Sequence, residues 1–320
     1  MLARSPENAA PPAVSIIIPS RFRADLLEVC LKSVMAHASV PAQVIVVDDG
    51  STHGEVTRIA GLFAGVVVVR NEHPIGFSLA VQRGIELAIA PVVHLLNDDT
   101  RVEPGWLDRP LECLRDPRVG AVTPLVLQDN NGPIPPRIDS AGDGYALSGR
   151  AFKRLRGLRV PVGLKGRWVF GASGSSAFYS RKALLEVGGF PKEFGAYFED
   201  VEVSWKLQKA GWRVWFAPES VVWHKVSASY GSLMKPELEE MMVRNQELVF
   251  VTHGMLLYKN FALIIHCLLL LVRGVRALFR GRLGVFGRGL LNAWKSPVLE
   301  GSKRVAMKVN HGRKVPLELF

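Results

Sequence analysis

Cysteine is scarce in this chain, which carries three cysteines among its 320 residues. Cys30, Cys113 and Cys267 stand far apart, and none of them has the short spacing to a second cysteine that structural metal sites use. This scarcity excludes a disulfide-rich secreted scaffold. We interpret the three side chains as free thiols in a reducing compartment.

The N-terminus lacks an apolar segment. Its first fifteen residues, MLARSPENAAPPAVS, contain no continuous apolar stretch of the kind that a secretory signal needs. We therefore expect no such signal, and we expect residues 1–12 to form a flexible tail. The whole chain is 48% hydrophobic with a mean hydropathy of +0.16, which excludes an intrinsically disordered protein.

Apolar runs long enough to cross a bilayer are also lacking, since a spanning helix wants about 20 apolar residues and Phe261–Val272 offers fewer. Positive charge follows this run directly. From Arg273 onward eleven Lys and Arg face two Glu, a net +9 out of +11 for the chain. Basic residues beside an apolar helix favour an anionic membrane surface. The alternative is a buried helix with a solvated tail. Nucleic acid is not expected, because the tail has few aromatic residues and no RNA-binding motif.

The N-terminal half alternates apolar β-branched runs with segments of helical periodicity. The runs are Val14–Pro19, Val44–Val47, Val66–Val69 and Val92–Leu96. Strands that are apolar on both faces and alternate with helices predict an α/β fold with a parallel sheet covered on both sides. Ligands of such sheets bind at the carboxyl ends of the strands. Acidic residues follow two of these strands, so they are expected to face one crevice.

The C-terminal half has a different pattern. Residues Gln128–Gly166 are rich in Gly, Pro and Arg, and this composition predicts a long loop that is either functional or solvated. Gly171–Phe190 predicts a strand of small residues and a short helix. The stretches WRVWFAP and SVVWH predict two short strands, and the chain after Ser232 predicts helix to about Leu271.

Four residues carry the chemistry that the sequence suggests. Asp98 and Asp99 follow a strand, Asp200 begins a helix and His224 ends a later apolar run. Carboxylate oxygen and imidazole nitrogen suit Mn²⁺ or Mg²⁺ on a diphosphate. A carboxylate at a helix N-terminus is expected to stay ionised through the helix dipole, as a general base must. Each residue alone is weak support, because a lone histidine after a strand is commonly structural.

Six longer stretches together identify a family. The chain resembles inverting family 2 glycosyltransferases of the GT-A fold, especially their rhamnosyltransferase-like branch. The resemblance implies a mostly parallel α/β sheet flanked by helices over residues 13–250, followed by a helical, membrane-associated extension over residues 251–320. The matching stretches are VSIIIPSRFRADLLEVCLKSV, VIVVDDGST, GFSLAVQRGIELA, VVHLLNDDT, GGFPKEFGAYFEDVEVSWKLQKAGWRVWFAPESVVWHK and RNQELVF.

The resemblance also implies roles for individual residues. Asp200 would deprotonate the acceptor hydroxyl, while Asp99 and His224 would hold Mn²⁺ or Mg²⁺ at the diphosphate. Asp98 would lie near the ribose or the sugar. The remaining residues that the resemblance places at the substrates are Pro19, Arg21 and Asp49 at the nucleotide, and Glu199, Glu202 and Trp205 at the acceptor.

The implied reaction is a single inverting displacement. It would move a sugar from dTDP-rhamnose or a UDP-hexose to a hydroxyl of a lipid-linked or growing cell-surface glycan. The protein would act in the cytoplasm, peripherally on the inner face of the cell membrane. Asn97 stands where this family usually has the first Asp of its D-x-D motif, and this departure weakens the expectation of metal dependence.

Three other functions are considered from the sequence. A dinucleotide-binding oxidoreductase is excluded because the first strand ends in Pro19-Ser20-Arg21 and no G-x-G-x-x-G follows it. A non-catalytic relative that binds nucleotide at the membrane remains an alternative, although the intact Asp99, Asp200 and His224 speak against it. A processive polysaccharide synthase is disfavoured because no Q-x-x-R-W follows His224.

Overall fold

The structure, a computed structural model, describes residues 10–129, 135–225 and 235–297. Most of the predicted tail, residues 1–12, therefore lies outside the described residues. Within them the strands are β1 (Val14–Ser20), β2 (Ala42–Asp48), β3 (Val66–Arg70), β4 (Val92–Leu96), β5 (Thr100–Val102), β6 (Val119–Gln128), β7 (Ile138–Ser140), β8 (Asp143–Tyr145), β9 (Ala151–Lys153), β10 (Arg167–Val169), β11 (Ser176–Ser180) and β12 (Arg213–His224).

The helices of the described residues lie between and after these strands. They are α1 (Ala24–His37), α2 (Glu55–Ala60), α3 (Phe77–Leu87), α4 (Asp108–Cys113), α5 (Arg181–Glu186), α6 (Glu199–Lys209), α7 (Pro236–Val249), α8 (Met255–Phe279) and α9 (Leu283–Trp294). Short 3₁₀ turns occur at Thr52–Gly54 and Lys192–Phe194, and a π-helical turn at Phe250–Gly254 joins α7 to α8.

The predicted parallel half of the sheet is confirmed. β3, β2, β1 and β4 lie side by side in that order, and all three pairings are parallel. β1 is buried along its whole length. Ile17 packs in one core with α3, whereas Ile16 and Ile18 pack in a second core with α1. Successive side chains of a strand point to opposite faces, so a continuous apolar run belongs to a strand covered on both sides.

The rest of the sheet is mixed in direction. β11 lies antiparallel between β4 and β6, while β6 pairs in parallel with β12. The sequence does not reveal this direction, because a buried central strand is apolar in either orientation. The result is a ten-stranded sheet flanked by helices, which also includes the short β5, β7 and β10.

Two predictions for the C-terminal half are wrong. WRVWFAP and SVVWH form the single strand β12, whose register with β6 shifts between Ala217 and Val221. Such an irregularity accommodates Pro218 without ending the strand. Gln128–Gly166 is not a loop throughout, because β7, β8 and β9 lie within it; its residues 130–134 are outside the described part.

The chain after Lys235 is helical, as predicted, but it continues well past Leu271. α8 has 25 residues and ends at Phe279. Among the described residues this is the helix long and apolar enough to cross a membrane, over Ala262–Phe279. The expectation that this apolar segment is too short to span a membrane is therefore wrong. The helix continues through Arg273 and Arg276, and the longer segment has sufficient length.

Candidate active site at the carboxyl ends of the strands

The acidic pair after β4 is held by the neighbouring strand β1. The Ser20 hydroxyl, at the end of β1, donates a 2.6 Å hydrogen bond to Oδ2 of Asp98. Burial raises the pKa of Asp98 to about 7. Asn97 contributes its backbone here, since its amide donates to the carbonyl of Ser175 at 3.1 Å. Asp98 is thus fixed at the junction of β1 and β4.

Asp99 and His224, the two predicted metal ligands, lie side by side. His224 ends β12 opposite Thr100 of β5, and Nε2 of its ring is 3.2 Å from Oδ1 of Asp99. That oxygen is buried, and none of the described residues donates a hydrogen bond to it. The backbone amide of Lys225 donates to the carbonyl of Asp99 at 2.9 Å, which fixes the approach of the two segments.

Asp139, which the sequence analysis missed, holds the other side of the imidazole. Its side chain is fully buried, and Oδ2 lies 3.0 Å from Nδ1 of His224 and 2.6 Å from the Lys153 ammonium group. Arg156 is 3.6 Å from Oδ1. Burial acts to raise the pKa of Asp139, but the contacts with His224 and Lys153 hold that pKa well below its usual range. No local sequence signal marks this aspartate.

The His224 ring lies between two carboxylates that favour its protonated form. Burial acts to lower its pKa, but the contacts with Asp139 and Asp99 outweigh burial and raise the pKa to about 9. A metal ligand must be neutral at the coordinating nitrogen. A divalent cation bound by Asp99 and His224 would therefore replace the proton that the carboxylates now stabilise.

The residues present fit a divalent cation that is shared with a ligand. Asp99 offers a buried oxygen without a hydrogen bond, and a carboxylate already orients the ring of His224, an arrangement common in metal sites. Among residues 10–129, 135–225 and 235–297, no group of three or more His, Cys, Asp or Glu side chains is arranged to hold a metal ion alone. Mg²⁺ and Mn²⁺ commonly take their remaining ligands from phosphates and water.

Asp200, the predicted base, is seated against a glycine. Oδ2 accepts a 2.8 Å hydrogen bond from the backbone amide of Gly174, and Oδ1 accepts one of 2.8 Å from the amide of Val201. A Cβ atom on Gly174 would lie 2.9 Å from Oδ2, so a larger residue would displace the carboxylate. Burial raises the pKa of Asp200 despite these two hydrogen bonds. Burial therefore opposes the ionised form that the helix dipole is expected to favour, and the ionised state of Asp200 stays a prediction.

Two further buried acids lie in the electrostatic field of Asp200. Burial and the charge of Asp200 raise the pKa of Glu199 and of Asp143 well above the usual range. In the described part of the chain, neither Oε2 of Glu199 nor Oδ1 of Asp143 has a hydrogen-bond partner. Of Asp143, Glu199 and Asp200, only the Asp200 carboxylate accepts hydrogen bonds from two backbone amides within the described structure. These two hydrogen bonds favour the ionised form of Asp200 over that of the other two acids.

The segment just before α6 has an unusual backbone. Tyr197 and Phe198 have φ angles of 69° and 65°, in the left-handed region that costs a non-glycine residue energy. The fully buried Asn245 of α7 holds this segment. Its Nδ2 donates to the carbonyls of Phe194 at 2.8 Å and of Ala196 and Tyr197 at 2.9 Å each. Asn245 therefore fixes the entry into the helix that carries Asp200.

Glu202 and Trp205, predicted to contact the acceptor, instead pack α6 against the C-terminal helices. Glu202 is buried, with Oε2 2.7 Å from Nε2 of His253. Trp205 is 1% exposed, stacks on His253 with ring centroids 5.5 Å apart, and meets Tyr145 edge-on at 5.0 Å. Side chains so enclosed present no surface to a substrate, and we correct their assignment to a packing role.

The predicted nucleotide-binding residues lie at the ends of β1 and β2. Asp49 is held by the protein itself: Oδ1 accepts hydrogen bonds from Nδ2 of Asn71 and the amide of Ile75, and Oδ2 accepts one from the amide of Gly76. Pro19 is buried within β1 and contributes backbone shape. Arg21 follows β1, and its guanidinium lies 4.3 Å from the Phe22 ring centroid.

Comparisons with known proteins identify the family and the fold of this chain. The profile of the family described as "Glycosyltransferase like family 2" matches residues 11–242. An N-acetylglucosaminyl-diphospho-decaprenol L-rhamnosyltransferase of Mycobacterium tuberculosis is 29% identical over 233 residues, covering 64% of this chain and 73% of the relative. A poly-β-1,6-N-acetyl-D-glucosamine synthase of Staphylococcus aureus is 25% identical over 225 residues, covering 69% of this chain and 52% of the relative.

Two solved structures share the fold at 18% identity. GalNAc-T7 with UDP, GalNAc and Mn²⁺ superposes with a TM-score of 0.62 over 75% of this chain and 48% of that one. A mannosyltransferase of Pyrobaculum calidifontis with GDP-Man and Mn²⁺ gives a TM-score of 0.52 over 97% and 80%. These likenesses show a GT-A-type fold. With the profile match over more than half its length, the chain belongs to the glycosyltransferase-like family 2.

Proposed function

We propose that this glycosyltransferase moves a sugar from a nucleotide-sugar to a hydroxyl of a lipid-linked or growing cell-surface glycan, with inversion. The observation that carries the proposal is the seating of Asp200, a buried carboxylate fixed by two backbone amides at the start of α6. We assign residues 13–250 to catalysis and residues 251–320 to a helical extension, of which residues 251–297 are described.

Asp200 acts as the general base. Burial raises its pKa, and a carboxylate of raised pKa accepts a proton from a hydroxyl more readily. The acceptor oxygen attacks the anomeric carbon as the bond to the diphosphate breaks, and the proton passes to Asp200. One displacement opposite the leaving group inverts the stereochemistry and needs no covalent intermediate. Burial and the charge of Asp200 raise the pKa of the neighbouring Glu199, which favours its neutral form beside the Asp200 carboxylate.

The opposite side of the site serves the diphosphate. Asp99 and His224 would hold Mn²⁺ or Mg²⁺, which when bound neutralises the charge that develops on the departing phosphate. Asp139 fixes the His224 ring through Nδ1 and also binds the Lys153 ammonium group. Asp98 would face the ribose or the sugar. The nucleotide would lie against Asp49, Pro19 and Arg21, with Asp49 shaping the loop through its bonds to the amides of residues 75 and 76.

The relatives guide the choice of substrates. The M. tuberculosis relative is named for a rhamnosyl transfer to a polyprenol-diphosphate-linked sugar. We therefore propose dTDP-rhamnose as the first candidate donor, a UDP-hexose as the second, and a lipid-linked saccharide as acceptor. With such an acceptor the enzyme would act on the inner face of the cell membrane, and the apolar helix α8 supports the proposed membrane association.

A panel of nucleotide-sugars tests the proposed function. The whole protein is incubated with each donor, with Mn²⁺, Mg²⁺ or a chelator, and its thermal midpoint and donor turnover are measured. One donor with a divalent cation should raise the midpoint, because a ligand that binds the folded state stabilises it by mass action. That donor should also be turned over when a lipid-linked acceptor is present. Stabilisation without turnover on any acceptor would favour the non-catalytic alternative.

Asn245→Ala is expected to lower kcat by about 10²-fold, because a displacement of about 1 Å at the reacting groups has that effect. The change frees the carbonyls of the left-handed segment before α6, so Asp200 loses its fixed position. Nucleotide affinity should stay unchanged, since Asp49 and its partners are untouched. Steady-state kinetics and nucleotide titration measure the two effects separately.

Asn292→Ala is the matched control for this variant. Asn292 is an exposed helical asparagine that donates a 2.8 Å hydrogen bond to Glu240. A positioning role for Asn245 would be contradicted by a loss of kcat no larger than that of the control. An equal loss of nucleotide affinity would likewise point to general unfolding.

A further inference from the structure

The helix α8 exposes an apolar face. Five large apolar residues on this face are spaced four and three residues apart and are exposed by 45–65%; they are Ile264, Leu268, Leu271, Val275 and Leu278. Leu283, Leu291 and Trp294 of α9 are exposed as well. Soluble proteins rarely leave so many neighbouring apolar side chains in water, so we expect a protein or a membrane to cover this surface.

The opposite face of α8 carries buried polar contacts. His266 is 2% exposed, with Nδ1 2.7 Å from the carbonyl of Ser148 and Nε2 2.9 Å from Oε2 of Glu247. Its ring also stacks on Phe250 with centroids 3.5 Å apart. Directly after the apolar run Phe261–Val272, Arg273 donates a 2.6 Å hydrogen bond to Gln246 of α7. These contacts fasten α8 along the catalytic domain.

The contacts of His266 and Arg273 limit how α8 can bind a membrane. Ala262–Phe279 is long and apolar enough to cross a bilayer. Crossing would separate His266 from Glu247 and would place Arg273 in hydrocarbon, and unpaired polar groups are costly there. A helix with one apolar and one polar face lies in the plane of the membrane interface instead.

The charge of the helices indicates the kind of surface. Residues 255–297 contain seven Lys and Arg and no Asp or Glu. Arg276 and Arg280 are exposed beside the apolar face. Arg282 and Arg288 are already paired with Glu239 and Glu240 of α7. A second copy of the chain would bring the exposed Arg276 and Arg280 against their own counterparts, whereas paired helices usually match Lys or Arg with Glu. An anionic lipid surface complements both the apolar and the basic residues.

We propose that α8 and α9 form an in-plane docking surface for an anionic lipid membrane, with His266–Glu247 and Arg273–Gln246 holding α8 parallel to that membrane. This refines the membrane location given under the proposed function, but it does not depend on sugar transfer. The surface would let the enzyme meet a lipid-linked acceptor without a spanning segment.

Native cysteines make the orientation measurable. Cys267 is exposed on α8, Cys30 is buried, and the variant Cys113→Ser removes the remaining half-buried thiol. A fluorophore on Cys267 is compared with one on Leu278→Cys in a Cys113→Ser, Cys267→Ser background. Vesicles of phosphatidylglycerol and phosphatidylcholine carry nitroxide quenchers at different depths. The two positions are eleven residues apart, about 16 Å along a helix axis.

An in-plane helix predicts that both fluorophores are quenched at the same shallow depth. Depths that differ by most of the axial separation would overturn the proposal in favour of a spanning helix. Absence of any quenching would overturn it altogether.

Leu271→Glu tests the surface itself. We expect at least a tenfold loss of binding in sedimentation with the anionic vesicles, and weak binding of the unchanged protein to phosphatidylcholine alone. Leu62→Glu, at a leucine of similar exposure outside these helices, should leave binding unchanged. Undiminished binding of Leu271→Glu would refute the lipid surface. A change of molar mass in light scattering without a change in vesicle binding would identify the face as a dimer interface.

Different results would contradict the membrane-docking proposal and the proposed transferase function. Leu271→Glu should keep full turnover on a water-soluble acceptor, because Leu271 lies outside the catalytic groups. Loss of vesicle binding with retained turnover supports both proposals. Retained vesicle binding in a protein without transferase activity would sink the proposed function and leave the docking surface intact.

Discussion

Asp200→Asn is expected to lower the rate of sugar transfer by about 10²- to 10⁴-fold, the contribution that a positioned general base makes. The amide side chain keeps the size of the carboxylate but cannot take a proton from the acceptor. The site of the nucleotide, at the ends of β1 and β2, is untouched. Donor affinity, measured by titration of the nucleotide-sugar, should therefore stay within error of the unchanged protein.

Two further variants make this result specific. Asp108→Asn removes an exposed carboxylate from the first turn of α4 and should leave transfer unchanged. Glu199→Gln imitates the neutral form of Glu199 itself, which its raised pKa favours, and should cost far less activity than Asp200→Asn. Substantial turnover by Asp200→Asn, or a larger loss in Glu199→Gln, would move the role of base away from Asp200.

His224→Ala is expected to raise the concentration of Mn²⁺ or Mg²⁺ at half-maximal activity by about 100-fold. Asp139→Asn, which keeps the ring but weakens its orientation, should raise it by about tenfold, since residues that orient a ligand contribute 10- to 100-fold to metal affinity. The order of the two effects follows from the geometry, in which His224 contacts Asp99 directly and Asp139 acts through His224. A metal titration of activity after chelation measures both.

The control for this series is His37→Ala, a half-buried histidine in the last turn of α1. It should leave the metal titration unchanged. If His224→Ala shows the same titration as the control, His224 is not a ligand and its role is to neutralise Asp99 and Asp139. Equal effects of Asp139→Asn and His224→Ala would show that orientation accounts for the whole contribution of the ring.

Local sequence patterns predict the central strands of the sheet and the family of this protein. The apolar runs of β1 to β4 predict buried parallel strands because each strand is covered on both faces, and that requirement shapes every residue of the run. The order of the six motifs identified the family. The same motifs predict that Asp99 and His224 lie together, and they do, because Asp99 follows β4 and His224 ends β12 at the same end of the sheet.

Other features follow from contacts between distant parts of the chain. Asp139 meets His224 across 85 residues, and Asn245 reaches the carbonyl of Tyr197 across 48. Neither residue has a local signature, because a buried aspartate or asparagine resembles a turn residue until its partners are known. Trp205 was misassigned for the related reason that an aromatic residue on a helix looks the same whether it packs inward or meets a ligand.

The sequence by itself determined the fold class, the family and the edge of the sheet at which the chemistry gathers, because hydrophobic period and motif order are properties of short segments. Tertiary structure alone decided the direction of β11, the partners of His224 and Asp200, and the docking of α8 by His266. These depend on which polar groups are buried together, and burial is set by the packing of the whole chain.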